Sequence, residues 1–318
     1  MANKKRILVV GAGVMGSYHA RVISQSSRAS LAGIVDMSPQ AGTGLAERFS
    51  TTWFPSMPDL ETIDGVVVAT PTEVHFDVAS LVLDAGVPLL LEKPLTNELS
   101  TAETLVNFSA SHEITLMCGF LERYNPAILT AMQIVRDPIH LSGTRHSPYA
   151  PRIKTGASWD LLVHDVDLIN RFVANSEPDV VQGQLGYFHK DSLQSAEDIA
   201  ECLIKFENGT IGQASASRVG HRKIRTLSIT EEDRLIEIDL LRKDVTVYTN
   251  VSDQMVDDAN RGYRQQTVIE IPEIISSQEP LSAQLERFLD LIEGKADPAE
   301  ERNTLLPAHR IISKINGQ

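Results

Sequence analysis

A short apolar run, Arg6–Val10, stops at Gly11-Ala12-Gly13-Val14-Met15-Gly16, and a stretch with helical spacing follows through Ser26. Strand, glycine-rich turn and helix in that order leave few folds open to the chain. The first glycine permits the tight turn. The second lets a pyrophosphate approach backbone amides at a helix amino terminus, where partial positive charge gathers. The third lets helix and strand pack closely. The glycines alone would read equally well as turn residues, and the context gives them weight. A second strand, Leu31–Val35, ends in Asp36, 20 residues after Gly16, where a carboxylate can accept hydrogen bonds from ribose hydroxyls. The competing reading makes Asp36 a cap before Ser38-Pro39. Asp36 would repel a 2′-phosphate and Met37-Ser38-Pro39 offers no Arg, so NAD is expected rather than NADP.

The rhythm continues with strands at Gly65–Thr70, Val87–Glu92 and Thr115–Phe120 and helices at Glu73–Asp84 and Glu98–Ser111. Apolar strands alternating with helices predict a doubly wound parallel sheet of the Rossmann type, covered on both faces. After Phe120 the pattern changes. Helices are expected at Pro126–Arg136 and Ser158–Ala174. Strands follow at Val180–Tyr187, Ile199–Phe206, Thr210–Ser217, Ile224–Thr230, Arg234–Leu240 and Asp244–Tyr248, with Asn208-Gly209 as a hairpin turn. The fold class is therefore α/β, a Rossmann sheet followed by an α+β domain with an open, mainly antiparallel sheet. The expected domains are residues 1–121 for the dinucleotide and 122–318 for substrate and oligomerisation. Helices at Pro280–Glu293 and Asn303–Lys314 are candidates to pack back on the first domain.

With 29 Lys+Arg against 42 Asp+Glu the net charge is −13, which argues against nucleic acid or an anionic membrane as the main partner. Hydrophobic residues at 42 % and charged residues at 22 % describe a globular chain. Cys118 and Cys202 imply no disulfide framework, and the basic start before Ile7-Leu8-Val9-Val10 is followed by too short an apolar run for a signal peptide. A cytoplasmic protein is expected.

Three further segments carry chemistry. Leu91-Glu92-Lys93-Pro94 closes an apolar strand at its carboxyl end, where ligands of doubly wound sheets bind; Lys93 is there either functional or a surface charge beside Glu92. Ser158–Asp167 on a uniform helix aligns Asp160, His164, Asp167 and Arg171 in one polar stripe, either an ion-pair ladder or an acid/base histidine oriented by an aspartate. A metal held by His164 and carboxylates is a poor third reading, and no metal is expected. Asp165 falls on the apolar side and should bond backbone or an Arg. Arg145, His146, Arg152 and Lys154 form one basic cluster, and Arg218, His221, Arg222, Lys223 and Arg225 another. Tyr149-Ala150-Pro151-Arg152 is a candidate lid.

Glu92-Lys93-Pro94, preceded by the glycine fingerprint and by Ala69-Thr70-Pro71-Thr72 with His75, resembles the glucose–fructose oxidoreductase/inositol dehydrogenase (Gfo/Idh/MocA) family. Gly119-Phe120-Leu121-Glu122-Arg123-Tyr124-Asn125-Pro126-Ala127 is similar to its sugar-nucleotide branch, the UDP-N-acetylglucosamine 3-dehydrogenase-like enzymes, with Tyr124 where that branch has Phe. The resemblance implies an NAD-dependent dehydrogenase acting on a CH–OH group of a sugar, with Lys93 beside nicotinamide and substrate. It implies Asp160 and His164 as the further catalytic pair. Gly11, Gly13, Val14, Met15, Gly16, Asp36, Thr70, Pro71, His75, Glu92 and Lys93 would hold the cofactor. Arg123, Tyr124, Asn125, Arg152 and His164 would hold a sugar or sugar nucleotide. A free polyol such as inositol is the alternative substrate, and a catalytically silent ligand-binding regulator the alternative of another class.

The resemblance also implies a homodimer or homotetramer formed through the second sheet. Gly212, Ala214 and Ala216 lie on one face of Thr210–Ser217, while Ile199 and Leu203 lie on the second face of their strand. Another subunit, or else the Pro280–Glu293 helix, would have to cover that second face.

Overall fold

The computed structural model describes residues 4–151, 153–174, 176–257, 260–276 and 278–317, and for 252–257 and 260–265 the backbone course alone. Two compact units emerge. The first joins Met1–Tyr124 to Gln278–Ser313 and the last two residues, and the second is Asn125–Ser277 with Lys314–Asn316.

The first unit is built in chain order from β1 (Lys5–Val10), α1 (Val14–Gln25), β2 (Ala29–Val35), α2 (Pro39–Arg48) and β3 (Trp53–Phe54). It continues with β4 (Gly65–Val68), α3 (His75–Asp84), β5 (Leu89–Leu91), α4 (Leu99–Ser111) and β6 (Leu116–Cys118). The sheet order is β3-β2-β1-β4-β5-β6, all parallel. Gly65-Val66-Val67-Val68 and Leu89-Leu90-Leu91 are buried throughout, as strands covered on both faces must be. The order reverses between β1 and β4, so the crevice outside their carboxyl ends is where a dinucleotide binds in such sheets. Sequence periodicity missed α2, whose start is signalled by the Ser38 hydroxyl accepting from the Ala41 amide and by Pro39 in the first turn.

In the second unit α5 (Pro126–Ile134) leads to β7 (His140–His146), a π turn at Ser158–Leu162, and α6 (Val163–Phe172). Then come β8 (Pro178–Gly186), β9 (Ile199–Phe206), β10 (Ile211–Ser217), β11 (Ile224–Thr230), β12 (Arg234–Asp239), β13 (Asp244–Asp257) and β14 (Asn260–Glu270). The sheet order is β14-β13-β12-β11-β7-β10-β9-β8, antiparallel except for the parallel pair β7–β10. The strand β7 was not expected. Its inward face reads Leu141, Gly143, Arg145, and two of those three are not hydrophobes. The reason is α6: a Cβ on Gly143 would stand only 3.0 Å from the Asp165 Cβ, and the Asp165 carboxylate takes both a 2.7 Å bond from Arg145 Nε and a 3.1 Å bond from Nη2. Asp165 thus meets the Arg its position called for.

The chain ends in α7 (Pro280–Ile292), α8 (Pro298–Asn303) and α9 (Leu306–Ile315). Leu281, Leu285, Phe288 and Leu289 of α7 join the core of the first unit beside α1. Each such side chain contributes roughly 1.5–3 kcal/mol when fully buried. The apolar face of the helix is therefore buried within the first unit. No helix among the described residues is long and apolar enough to cross a membrane.

Candidate active site

At the end of β1, Gly11 adopts φ +102°, and a Cβ there would stand 2.5 Å from the Ala69 carbonyl oxygen at the end of β4. A Cβ on Gly16 would overlap the Gly11 carbonyl, whereas one on Gly13 would meet nothing within 4 Å. The turn is closed on the protein side and open on the outer side. The first turn of α1 has no acidic residue and no side-chain cap at Gly13. Val14 is exposed and Met15 packs partly against the core. Asp36 Oδ2 accepts from the Ala12 amide at 2.6 Å and Oδ1 from the Ser38 amide at 2.8 Å. Each carboxylate oxygen keeps acceptor capacity for a ribose hydroxyl. Thr70, across the crevice on β4's end, has a buried hydroxyl with no hydrogen-bond partner among the described residues. An open glycine turn, an uncapped helix end, a placed carboxylate and an orphaned hydroxyl fit a dinucleotide.

Lys93 stands half-buried just past β5, followed by Pro94 through a cis peptide bond. Its neighbour Glu92 is buried and faces His19 of α1, with Oε1 2.7 Å from Nε2. His75 is also internal. Its Nδ1 lies 2.9 Å from the Pro94 carbonyl oxygen and its Nε2 3.0 Å from that of Thr70. Both residues were expected to touch the cofactor. Here they hold the turns on which Thr70, Pro71 and Lys93 sit, because a buried carboxylate or imidazole must find partners inside.

Of the expected substrate residues, Arg123 and Asn125 are buried and engaged. Arg123 Nη1 donates to Thr304 Oγ1 at 2.7 Å and Nη2 to the Thr304 carbonyl at 2.9 Å, with the guanidinium 4.6 Å from the Phe120 ring centroid. Asn125 caps α5 by accepting from the Ala127 amide, and its Nδ2 donates to the Leu240 carbonyl. Tyr124 packs partly against the core of the first unit. Arg152 lies outside the described residues. Tyr149, expected in a lid, stacks on His189 at 3.6 Å and its hydroxyl donates to the Asp191 carbonyl.

Asp160 and His164 are each half-buried, but not on one uniform helix. The Val163 amide reaches back to the Ser158 carbonyl, five residues away, so a π turn carries Asp160 and an α-helix carries His164. The stripe drawn at constant helical pitch breaks at Leu162, since a π turn takes more residues than an α turn. Such turns are frequent at functional sites. The turn is anchored by Glu197, which accepts from the Ser158 amide at 2.6 Å and from the Ser158 hydroxyl. Sequence reading missed Glu197, His19 and His309, the last of which accepts from the Leu95 amide. Only their burial as polar residues marks them, and burial is a tertiary property. Among the described residues no three His, Cys, Asp or Glu side chains converge as a metal set.

Comparison with known proteins agrees with this geometry. Residues 5–120 match an oxidoreductase family with an NAD-binding Rossmann fold, and residues 133–235 match the GFO/IDH/MocA C-terminal domain. The UDP-N-acetylglucosamine 3-dehydrogenase of Acidithiobacillus ferrooxidans is 29 % identical over 293 residues, covering 89 % of this chain and 87 % of that one. Its solved structure superposes with a TM-score of 0.81 and 27 % identity over 99 % of this chain and all of that one. The NAD-dependent scyllo-inositol 2-dehydrogenase of Bacillus subtilis is 28 % identical over 270 residues, 78 % of each chain. GenD2 from gentamicin A biosynthesis, solved in complex with NAD, gives a TM-score of 0.78 at 25 % identity, covering 100 % of this chain and 96 % of that one.

Proposed function

Since the chain belongs to the Gfo/Idh/MocA oxidoreductase family and is a dehydrogenase of it, we propose that it oxidises or reduces a secondary carbinol of a nucleotide-linked sugar with NAD. The observation that carries this reading is the crevice of the first sheet. One edge is the open Gly13 turn with Asp36, and β5 of the same sheet ends in a half-buried Lys93. The likeness to a sugar-nucleotide dehydrogenase over most of both chains supports the substrate class.

When bound, the nicotinamide supplies the acceptor or donor of hydride. The amino end of α1 and the Gly13 turn bind the pyrophosphate, and Asp36 accepts from the adenosine ribose. His164 takes the hydroxyl proton in the oxidising direction and returns it in the other, as imidazole can near neutral pH. Asp160 orients His164. The Lys93 ammonium donates a hydrogen bond to the same oxygen and stabilises its developing negative charge. The π turn fixes the height at which His164 leaves the helix. A second assembly feature belongs to the proposal: two or four copies associate through the outer face of the second sheet.

The test is turnover with NAD across nucleotide sugars, free inositols and free sugars. Turnover should be greatest on a nucleotide sugar, and Lys93→Met and His164→Ala should each lower it roughly 10²–10⁴-fold with dinucleotide affinity retained. Greatest turnover on a free inositol would move the substrate class to the polyols. Ligand binding with no turnover on any member would replace the enzyme with a silent binding protein.

A further inference from the structure

The turn that carries Lys93 is fastened on both sides by buried histidines from three different helices. His19 of α1 faces Glu92, and the second oxygen of Glu92 accepts from the Lys93 amide at 3.3 Å. His75, at the start of α3, reaches the Pro94 carbonyl, and its other ring nitrogen reaches the Thr70 carbonyl. His309 of α9 receives the Leu95 amide at 3.0 Å on Nε2, while its Nδ1 lies 2.8 Å from the Leu305 carbonyl oxygen. The three rings are 2 %, 1 % and 0 % exposed, so none is a surface group that happens to touch the turn.

The partners decide the chemistry of His309. A backbone amide only donates and a carbonyl only accepts, so Nε2 carries the lone pair and Nδ1 the proton. A hydrocarbon side chain of the same size would fill the space but leave the Leu95 amide buried without an acceptor. His75 differs, because both its partners are acceptors, and it ties the turn after β4 to the turn after β5. Packing alone fixes a backbone loosely, whereas directed bonds to both ends of the Pro94–Leu95 peptide group fix its plane.

We propose that His75 and His309 are positioning residues for Lys93: by pinning the Pro94 carbonyl and the Leu95 amide, the two ends of one peptide group, they set the direction in which the lysine side chain leaves the turn. The proposal rests on the reading of Lys93 as the group that holds the reacting oxygen. A displacement of about 1 Å at a catalytic group can cost roughly 10²-fold in rate, which is the scale on which these bonds act.

The experiment compares His309→Leu with His309→Gln, whose side-chain oxygen can still accept from the Leu95 amide, and His75→Leu with His75→Gln. Two quantities are read at temperatures where each variant is folded, as established from its own melting curve. One is kcat against KM on the substrate that the native protein turns over best. The other needs neither cofactor nor activity: the rate at which acetic anhydride acylates Lys93 in the dinucleotide-free protein, followed by peptide mass spectrometry against exposed Lys154 and Lys190 as internal standards. His309→Leu should lower kcat roughly 10–10²-fold, leave KM and dinucleotide affinity little changed, and alter Lys93 acylation while the standards stay constant. His309→Gln should recover most of both losses even where its melting temperature matches that of the leucine variant. The His75 pair should behave alike, and it serves if His309→Leu does not fold. Native kcat and native Lys93 acylation in both folded leucine variants would overturn the proposal. So would losses that follow melting temperature and not the presence of the hydrogen-bonding group, an acceptor in place of His309 and a donor in place of His75. Native turnover in Lys93→Met would overturn the functional reading instead, and the acylation rates would still report whether the histidines set the lysine's position.

Discussion

Asp165 is wholly buried in a helix packed on a sheet, and Arg145, 2 % exposed, lies opposite it with two bonds. A pair of this kind adds little over a well-packed hydrophobic pair, yet removing one partner strands a charge in the interior. Arg145→Met should therefore destabilise the protein by about 3–5 kcal/mol, and Arg145→Met with Asp165→Leu by clearly less. Chemical denaturation of the four proteins of this cycle measures it, and an additive double variant would show that the pair is not coupled. Asp36 acts through charge in a different way. On the proposed reading its carboxylate would repel a 2′-phosphate, so NAD should bind more tightly than NADP, and Asp36→Ser should narrow the difference mainly by improving NADP. Calorimetric titration with both dinucleotides decides this, and equal affinities for the native protein would remove Asp36 as the discriminator.

At the scale of elements, the segment between β8 and β9 shows how one carboxylate shapes a loop. Burial pushes the Asp198 carboxyl up. The His189 amide, the Ser192 hydroxyl, the Phe188 amide and the Arg218 charge together outweigh that and hold it below the usual carboxylate range. Its Oδ2 accepts from the Phe188 and His189 amides at 2.7 Å each. A folded value below the unfolded one means the unfolded state binds more protons as pH falls. The stabilisation is complete above the unfolded carboxylate value of about 3.9 and is lost as pH drops through the folded value. Protection of the Phe188 and His189 amides from hydrogen exchange should accordingly fall in that acid window, and Asp198→Asn should remove the step. Constant protection through it would mean the carboxylate is not what holds the loop. Elements also mark where reading by period stops. Ile199–Phe206 matches its predicted limits because its buried face, Ala200, Cys202, Ile204 and Phe206, is apolar at every second residue. The strand β7 does not follow that pattern, since its inward Arg145 is neutralised by a residue 20 positions later.

At the scale of the whole molecule, the outer face of the second sheet mixes exposed apolar side chains with polar ones, Lys205 and Glu201 among them. Leu203 and Ile211 are 46 % and 42 % exposed, beside the uncharged Gln182, Gln184 and Gln213. The apolar side chains of α7 are used in the core of the first unit. Light scattering at micromolar concentration should give two or four times the 35.0 kDa of one chain. Leu203→Lys with Ile211→Lys should shift it toward a single chain. A native mass of one chain would refute association through this face.

The local sequence by itself determined the parallel sheet, the glycine turn, the placement of Asp36 and the position of Lys93 at the end of a strand. Each of these rests on periodicity or on a residue's own backbone and charge, within a few residues of chain. Only the tertiary structure decided which polar residues face inward. Glu92, Arg123 and Asn125 enter as site residues through a family resemblance, and what the fold adds is that His19, Thr304 and Leu240 meet them from 73, 181 and 115 positions away. The π turn is likewise invisible to a helical wheel, which assumes constant pitch; it forms in a segment held by Glu197, 39 positions further along the chain. A buried hydrogen bond needs two partners in one place, and nothing in either partner's local sequence states where the other will be.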